Sequence, residues 1–153
     1  MIDYYETLIK ELSRNDVGET GGHQAGIVVP RVESALAFFP GLNPDEFNPR
    51  TSLRVVDTST GNQLALNYIY YNGRLSGSST RNEYRLTGLS RYLREAHAKA
   101  GDSLVFTKDD DGVYYLSLEP KEAVVTDAIQ PKPSDGIVVL SGTWRSTKRG
   151  IRR

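Results

Sequence analysis

The sequence predicts a mainly β fold with two short α-helices, its strands forming a closed or nearly closed sheet. Three observations predict it. Short apolar runs of strand length recur along the chain. Two pairs of runs are joined by turn signals, "STGN" at 59–62 and "DDDG" at 109–112. Helical spacing of apolar residues is clear in only two places, after Pro30 and after Gly88.

Residues 2–13 fit two readings. Ile2, Tyr5, Leu8, Ile9 and Leu12 make a helical stripe, while Leu8, Lys10 and Leu12 also alternate as a strand would. Residues 14–24 are a polar loop. "AGIVVP" reads as a buried strand ended by Pro30. A helix follows, with Val32, Ala35, Leu36 and Phe39 on one face and Pro40–Gly41 as its stop. "NPDEFNP" is a turn-rich connection. "SLRVVDT" and "QLALNYIYY" are strands of a hairpin, the second with Leu64, Leu66, Tyr68 and Tyr70 on one face. "NGRLSGSSTRNE" is a second polar loop, and "YRLTG" a short strand. Leu89, Tyr92, Leu93 and Ala96 mark the second helix, stopped by Gly101. "SLVFTK" and "VYYLSLEP" flank the "DDDG" turn as another hairpin, and "EAVVTD" reads as a last strand. "QPKPSDG" is linker-like, and "IVVLSGTW" is an extra strand of weaker pattern. Residues 1–127 are thus expected to be the folded domain, and 128–153 a linker or basic tail.

Composition narrows the function. With 153 residues, 38% hydrophobic and 25% charged, the chain suits one domain with one core. No apolar run reaches the roughly 20 residues that span a bilayer, so no membrane partner is expected. The acidic start "MIDYYETLIKEL" lacks a signal-peptide layout, and the absence of cysteine fits a reducing compartment. Net charge is zero, but it is segregated. Residues 71–101 carry Arg74, Arg81, Arg85, Arg91, Arg94 and Lys99 against Glu83 and Glu95. Residues 102–127 carry Asp102, Asp109, Asp110, Asp111, Glu119, Glu122 and Asp127 against Lys108 and Lys121, and "TWRSTKRGIRR" is basic with no acid. Such segregation builds a positive face on a neutral protein.

Several chemistries lack their residues. His23 and His97 are far apart with no cysteine to join them, so a zinc site has too few ligands. No serine sits in a G-x-S-x-G elbow. "GETGGHQAG" lacks the Gly-Lys-Ser/Thr of a phosphate-cradling loop. One enzyme reading stays open: Asp109–Asp111, Glu119 and Lys121 on one hairpin supply the groups of a small metal-dependent nuclease. The same aspartates also suit a plain turn.

The two polar loops favour DNA. Arg81, Asn82, Glu83 and Arg85 are side chains that read base edges: Arg pairs with guanine, Asn with adenine, and Glu accepts from cytosine. Ser78, Ser79 and Thr80 suit phosphate oxygens. The first loop adds Asn15, Asp16, Thr20, His23 and Gln24 on a glycine frame that lets backbone amides approach closely.

"LSRNDVGETGGHQAGIVVP" and "YIYYNGRLSGSSTRNEYRLT" closely resemble the amino-terminal DNA-binding domain of EcoRII-type restriction endonucleases. The resemblance rests on S-x-N-D-x-G-x-T-G-G-H-Q-x-G followed by I-Y-Y-N-x-R and T-R-N-E-x-R, and covers roughly residues 7–125. It implies an open, seven-or-so-stranded DNA-binding pseudobarrel, related to the "B three" domain of plant transcription factors. Two loop arms would enter the major groove. The first would run from Arg14 to Gln24 with Asn15, Asp16, Thr20, Gly21, Gly22 and His23, making residues 7–13 the strand that leads into it. The second would run from Arg74 to Arg85, with Arg81, Glu83 and Arg85 as base contacts and Asn82 as a brace or reader. Tyr84 stands where the family can carry a basic residue. In that family this domain does not cut. It is an effector or targeting module with no cofactor of its own, and Mg2+ serves a separate nuclease domain of the same polypeptide. The resemblance therefore implies a non-catalytic piece of a type II restriction enzyme, cytoplasmic in a prokaryote. Its partner would be a short duplex target such as CC(A/T)GG. A stand-alone DNA-binding regulator is the other non-enzymatic reading.

Overall fold

The computed structural model describes residues 2–19, 26–121, 138–139 and 143–152. Among these residues nine strands form one sheet: β1 Ile2–Glu11, β2 Ile27–Val29, β3 Arg50–Asp57, β4 Gln63–Tyr71, β5 Glu83–Thr87, β6 Ser103–Lys108, β7 Tyr114–Glu119, β8 Val138–Val139 and β9 Trp144–Arg152. Their order is β2-β5-β4-β3-β7-β6-β1-β9-β8. Neighbours are antiparallel except β3 and β7, which run parallel with Val55 opposite Tyr114. The sheet curls until its ends approach: Trp144 of β9 donates its indole N–H to the Val28 carbonyl of β2 at 3.0 Å. The barrel is therefore open in its backbone ladder and closed there by one side chain.

Local chemistry explains most of these elements. Alternation in β3 and β4 turns Leu53, Val55, Leu66 and Tyr68 inward, each at most 3% exposed. The turn between them is held by Asp57, whose carboxylate accepts from the Ser59 amide at 2.9 Å and hydroxyl at 2.8 Å. Asp109 does the same for β6 and β7, accepting from the Asp111 and Val113 amides. Helix α1, Glu33–Phe38, buries Ala35 and Phe38. It ends at Phe39, extended at φ −87° and ψ 163° before Pro40, as a residue preceding proline must be. The Phe39 ring stacks on Tyr68 at 5.0 Å and meets Phe106 edge-on at 5.8 Å. Those aromatics, with Leu8, Leu86, Leu104 and Leu116, fill the interior.

The fold expected from sequence, mainly β with an open curled sheet, is the fold observed. Two differences stand out. A third helical turn, α2 Gly73–Ser76, lies in the loop "NGRLSGSSTRNE". Trp144–Arg152, inside the stretch expected to be linker or tail, form β9 and pair along β1 from Lys10 to Ile2. Ladder bonds to two neighbours, β6 and β9, make residues 2–11 a strand and not the alternative helix. The "EAVVTD" segment lies outside the described residues. Helix α3, Ser90–Glu95, buries Tyr92 and Leu93. Among the described residues no helix is long and apolar enough to cross a membrane.

Candidate nucleic-acid interface

The second arm rises from the end of β4. Its base is pinned by Asn72, which is buried and exchanges amide bonds with Asn48: Asn48 N–H to Asn72 Oδ1 at 2.9 Å, and Asn72 N–H to Asn48 Oδ1 at 3.2 Å. Its Nδ2 donates to the Glu46 carbonyl at 2.6 Å. α2 then turns on Gly73, where a Cβ would lie 2.2 Å from Ser79 Oγ. The Gly73 carbonyl accepts from the Ser78 and Ser79 amides, and the Arg74 amide donates to the Arg81 carbonyl at 2.9 Å. The arm is thus tied at its neck, while Arg74 to Thr80 are exposed.

Arg81, Glu83 and Arg85 converge on one side of this arm. Glu83 Oε1 accepts from Arg81 Nε at 3.0 Å and Arg85 Nε at 3.1 Å, and Oε2 from Arg85 Nη2 at 3.3 Å. Arg81 Nη2 lies 2.9 Å from Oε1. The Arg81 guanidinium also lies over the Tyr71 ring, 3.7 Å from its centre. Arg85 Nη1 donates to the Gly26 carbonyl at 3.0 Å. One carboxylate therefore orients two planar donors and leaves the trio with an excess positive charge. Burial alone would raise the Glu83 carboxyl. The hydrogen bonds and charges of Arg85 and Arg81 outweigh it and hold the group below the ordinary carboxylate range.

The neighbouring residues point elsewhere. Asn82 Oδ1 accepts from the Tyr70 hydroxyl at 2.7 Å, so this amide braces the arm. Tyr84 stacks on Tyr70 with ring centres 4.2 Å apart and on Tyr68 at 5.7 Å, toward the core. Burial, then the neighbouring Tyr70, raise its hydroxyl, with Arg31 pulling the other way.

The described part of the first arm is braced as tightly. Ser13 and Asp16 cap each other: Ser13 N–H to Asp16 Oδ2 at 2.9 Å, and Asp16 N–H to Ser13 Oγ at 3.1 Å. Asp16 is also 3.1 Å from Lys10 Nζ, both side chains at most 10% exposed. Lys10 Nζ donates onward to Thr143 Oγ1 at 3.0 Å. Arg14 and Asn15 are exposed, Arg14 pairing loosely with Glu19 at 3.4 Å. Thr20, Gly21, Gly22, His23 and Gln24 lie outside the described residues.

The two arms meet at a cavity of about 360 Å³ whose wall includes Asn15 and Asp16 from the first arm, Arg85 from the second, and Lys10, Thr143 and Trp144. Sequence reasoning missed Lys10, Tyr71, Thr143 and Trp144. Lys10 looks like any outward strand lysine, and Thr143 meets it only through β9. An aromatic directly before a basic loop was the one available signal, for Tyr71.

The alternative nuclease group does not assemble. Asp109 sits at the turn of the β6–β7 hairpin, while Glu119 pairs with Ser103 at the other end, about five residues or 16 Å away along the strand. Among the described residues no three His, Cys, Asp or Glu come together as a metal site.

A family model described as "Restriction endonuclease EcoRII, N-terminal" matches residues 3–112. The type II restriction enzyme EcoRII of Escherichia coli is 38% identical over 118 residues, which are 71% of this chain but only 28% of that enzyme. The chain thus spans little more than a quarter of the curated relative. A crystal structure of the UbaLAI restriction endonuclease B3 domain with cognate DNA aligns over 95% of this chain and 88% of that one. Its TM-score is 0.60 at 19% identity, a likeness of fold.

Proposed function

Since the chain belongs to the family of EcoRII restriction endonuclease amino-terminal domains, we propose that it reads duplex DNA. On this reading it is the non-catalytic effector or targeting module of a type II restriction enzyme. The observation that carries the reading is the Arg81–Glu83–Arg85 cluster. Two guanidinium groups are oriented by one carboxylate, and Arg81 rests on Tyr71 beside a braced first arm. Planar forks held in advance lose little entropy when they meet the O6 and N7 of guanine. Arg74, Ser78, Ser79 and Thr80 are exposed on the same arm and supply phosphate contacts. Asn15 and the glycine-rich continuation through His23 and Gln24 form the first arm's reading edge. Asp16, Asn82 and Tyr84 support the arms from behind. The target is a short G·C-rich duplex of the CC(A/T)GG kind. Cleavage and its Mg2+ belong to a nuclease domain elsewhere in the same cytoplasmic polypeptide.

Equilibrium binding to a CC(A/T)GG duplex and to single-base variants tests the reading. Wild-type protein should prefer one sequence, losing about 1–3 kcal/mol per wrong base pair. Arg81→Ala should erase that preference at one base pair and leave the others. Equal weakening on every duplex would make the arms mere phosphate clamps and overturn the reading.

A further inference from the structure

We propose that helix α3 carries a separate DNA contact: Arg94 and His97, with Ser90, grip the phosphodiester backbone along the outer flank of the first arm. The proposal rests on the DNA-binding reading and adds to it residues outside both arm motifs.

Ser90, Arg94 and His97 recur at intervals of four and three, so they follow one side of α3 and its terminal turn. Together with Val17 and Gly18 of the first arm they line an open cavity of about 390 Å³. Asp16, which also reaches this cavity, is already held by Lys10 and the Ser13 amide. Arg91, one residue round the helix, is paired with Glu95 at 2.9 Å. Arg94 has no ion pair among the described residues. Among the described residues the wall of the cavity beside α3 therefore presents the positive charge of Arg94 without a paired acid.

The backbone of His97 is a second, independent observation. α3 ends with the His97 amide donating to the Arg94 carbonyl at 3.1 Å and the Ala98 amide to the Leu93 carbonyl at 2.9 Å. That pattern needs a left-handed residue at position 97, and His97 has φ 55°. Glycine adopts this conformation at least cost. Capping alone would favour glycine, and the imidazole makes no hydrogen bond among the described residues. An exposed imidazole held in this conformation, with no partner among the described residues, is available to an external one.

Placement supplies the partner. The first arm lines the Arg85 cavity through Asn15 and Asp16 and the α3 cavity through Asp16, Val17 and Gly18. A loop lodged in the major groove, about 12 Å wide, has a sugar–phosphate chain close by on each flank. The second arm shares the Arg85 cavity, so α3, on its own cavity, is placed to meet the other chain. A guanidinium, an imidazole and a hydroxyl meeting phosphate fix position without reading sequence.

Salt titrations of binding separate this contact from the arms. The proteins are wild type, Arg94→Gln and His97→Gly, each with the preferred duplex and one single-base variant. Arg94→Gln should weaken both duplexes alike, roughly threefold to tenfold near physiological salt. It should lower the slope of log K against log salt by about one. His97→Gly should also weaken both duplexes while melting at or above the wild-type temperature, since it relieves the left-handed residue. Unchanged affinity and slope in both variants, with wild-type binding intact, would overturn the α3 contact alone. A loss confined to one base pair would overturn its phosphate character. No duplex binding by wild-type protein would overturn the DNA reading as well.

Discussion

Glu83 holds two arginines in place, and its protonation should therefore be felt in stability. Its folded carboxyl titrates below the ordinary range because the Arg85 and Arg81 contacts outweigh the opposing effect of burial. A depressed carboxyl contributes stability above its unfolded pKa, about 4.3, and loses it as pH falls through the lower folded value. Glu83→Gln should therefore be less stable than wild type near pH 7, on the order of 1 kcal/mol for a part-exposed cluster. The gap should narrow as pH falls below the ordinary carboxylate range and the wild-type carboxylate takes up its proton. Thermal unfolding of both proteins across that range checks it. Asp57, also held low when its Ser59 and Thr60 hydrogen bonds overcome burial, is common to both and cancels. A gap constant with pH would mean that Glu83 acts by packing. The identity of this cluster was legible in "TRNEYR", because base-reading side chains are rare in such density. Their division of labour was not. That Asn82 meets Tyr70, that Tyr84 stacks inward and that Asp16 is sealed by Lys10 are facts of strand register and burial.

At the scale of elements, the join between β2 and β5 sets where the two arms sit relative to each other. Gly26 starts that join with φ +92°, and a Cβ there would lie 2.2 Å from the Leu86 carbonyl oxygen. Its own carbonyl receives Arg85 Nη1. Gly26→Ala combines a left-handed residue with a collision against backbone, a cost of about 3 kcal/mol. Gly61→Ala, at φ +76° but facing open space, should cost about 1 kcal/mol. Chemical denaturation of the two variants measures the difference. Equal midpoints would mean that β2 shifts freely and does not set the arms. The hairpins β3–β4 and β6–β7 were legible because turn chemistry and alternation are local. The parallel pairing of β3 with β7 was not, since nothing near either strand encodes it. α2 stayed hidden because its single turn is held by Gly73 and loop serines, residues that equally mark an irregular loop. β9 was hidden by its composition, since "TWRSTKRGIRR" is dominated by basic and polar residues with Trp144 and Ile151 as its large apolar ones.

For the whole molecule, the question is how far the folded unit extends. Trp144 is 2% exposed, lies 6.3 Å from the Phe106 ring and bridges to β2 through its indole N–H. The adjacent Thr143 receives Lys10, which in turn holds Asp16 at the root of the first arm. Strand β9 thus closes the barrel and reaches the interface by one route. Both residues lie beyond the stretch, 3–112, that the family model matches. Trp144→Ala should cost about 3–5 kcal/mol, the usual range for emptying a core of its largest ring. Trp144→Phe should keep one stacked ring while losing the N–H bond and part of the ring volume, for a smaller loss. A protein ending at residue 127 removes the ring, the Thr143 partner and the covering of β1 together. It should melt well below the full chain and discriminate less between duplexes, because Lys10 and Asp16 lose one of their ties. If the shortened protein melts with the full chain and reads DNA as sharply, β9 is an appendage. The barrel would then be complete with β1 as its edge, and the first arm would owe its position to Ser13 and Lys10 alone.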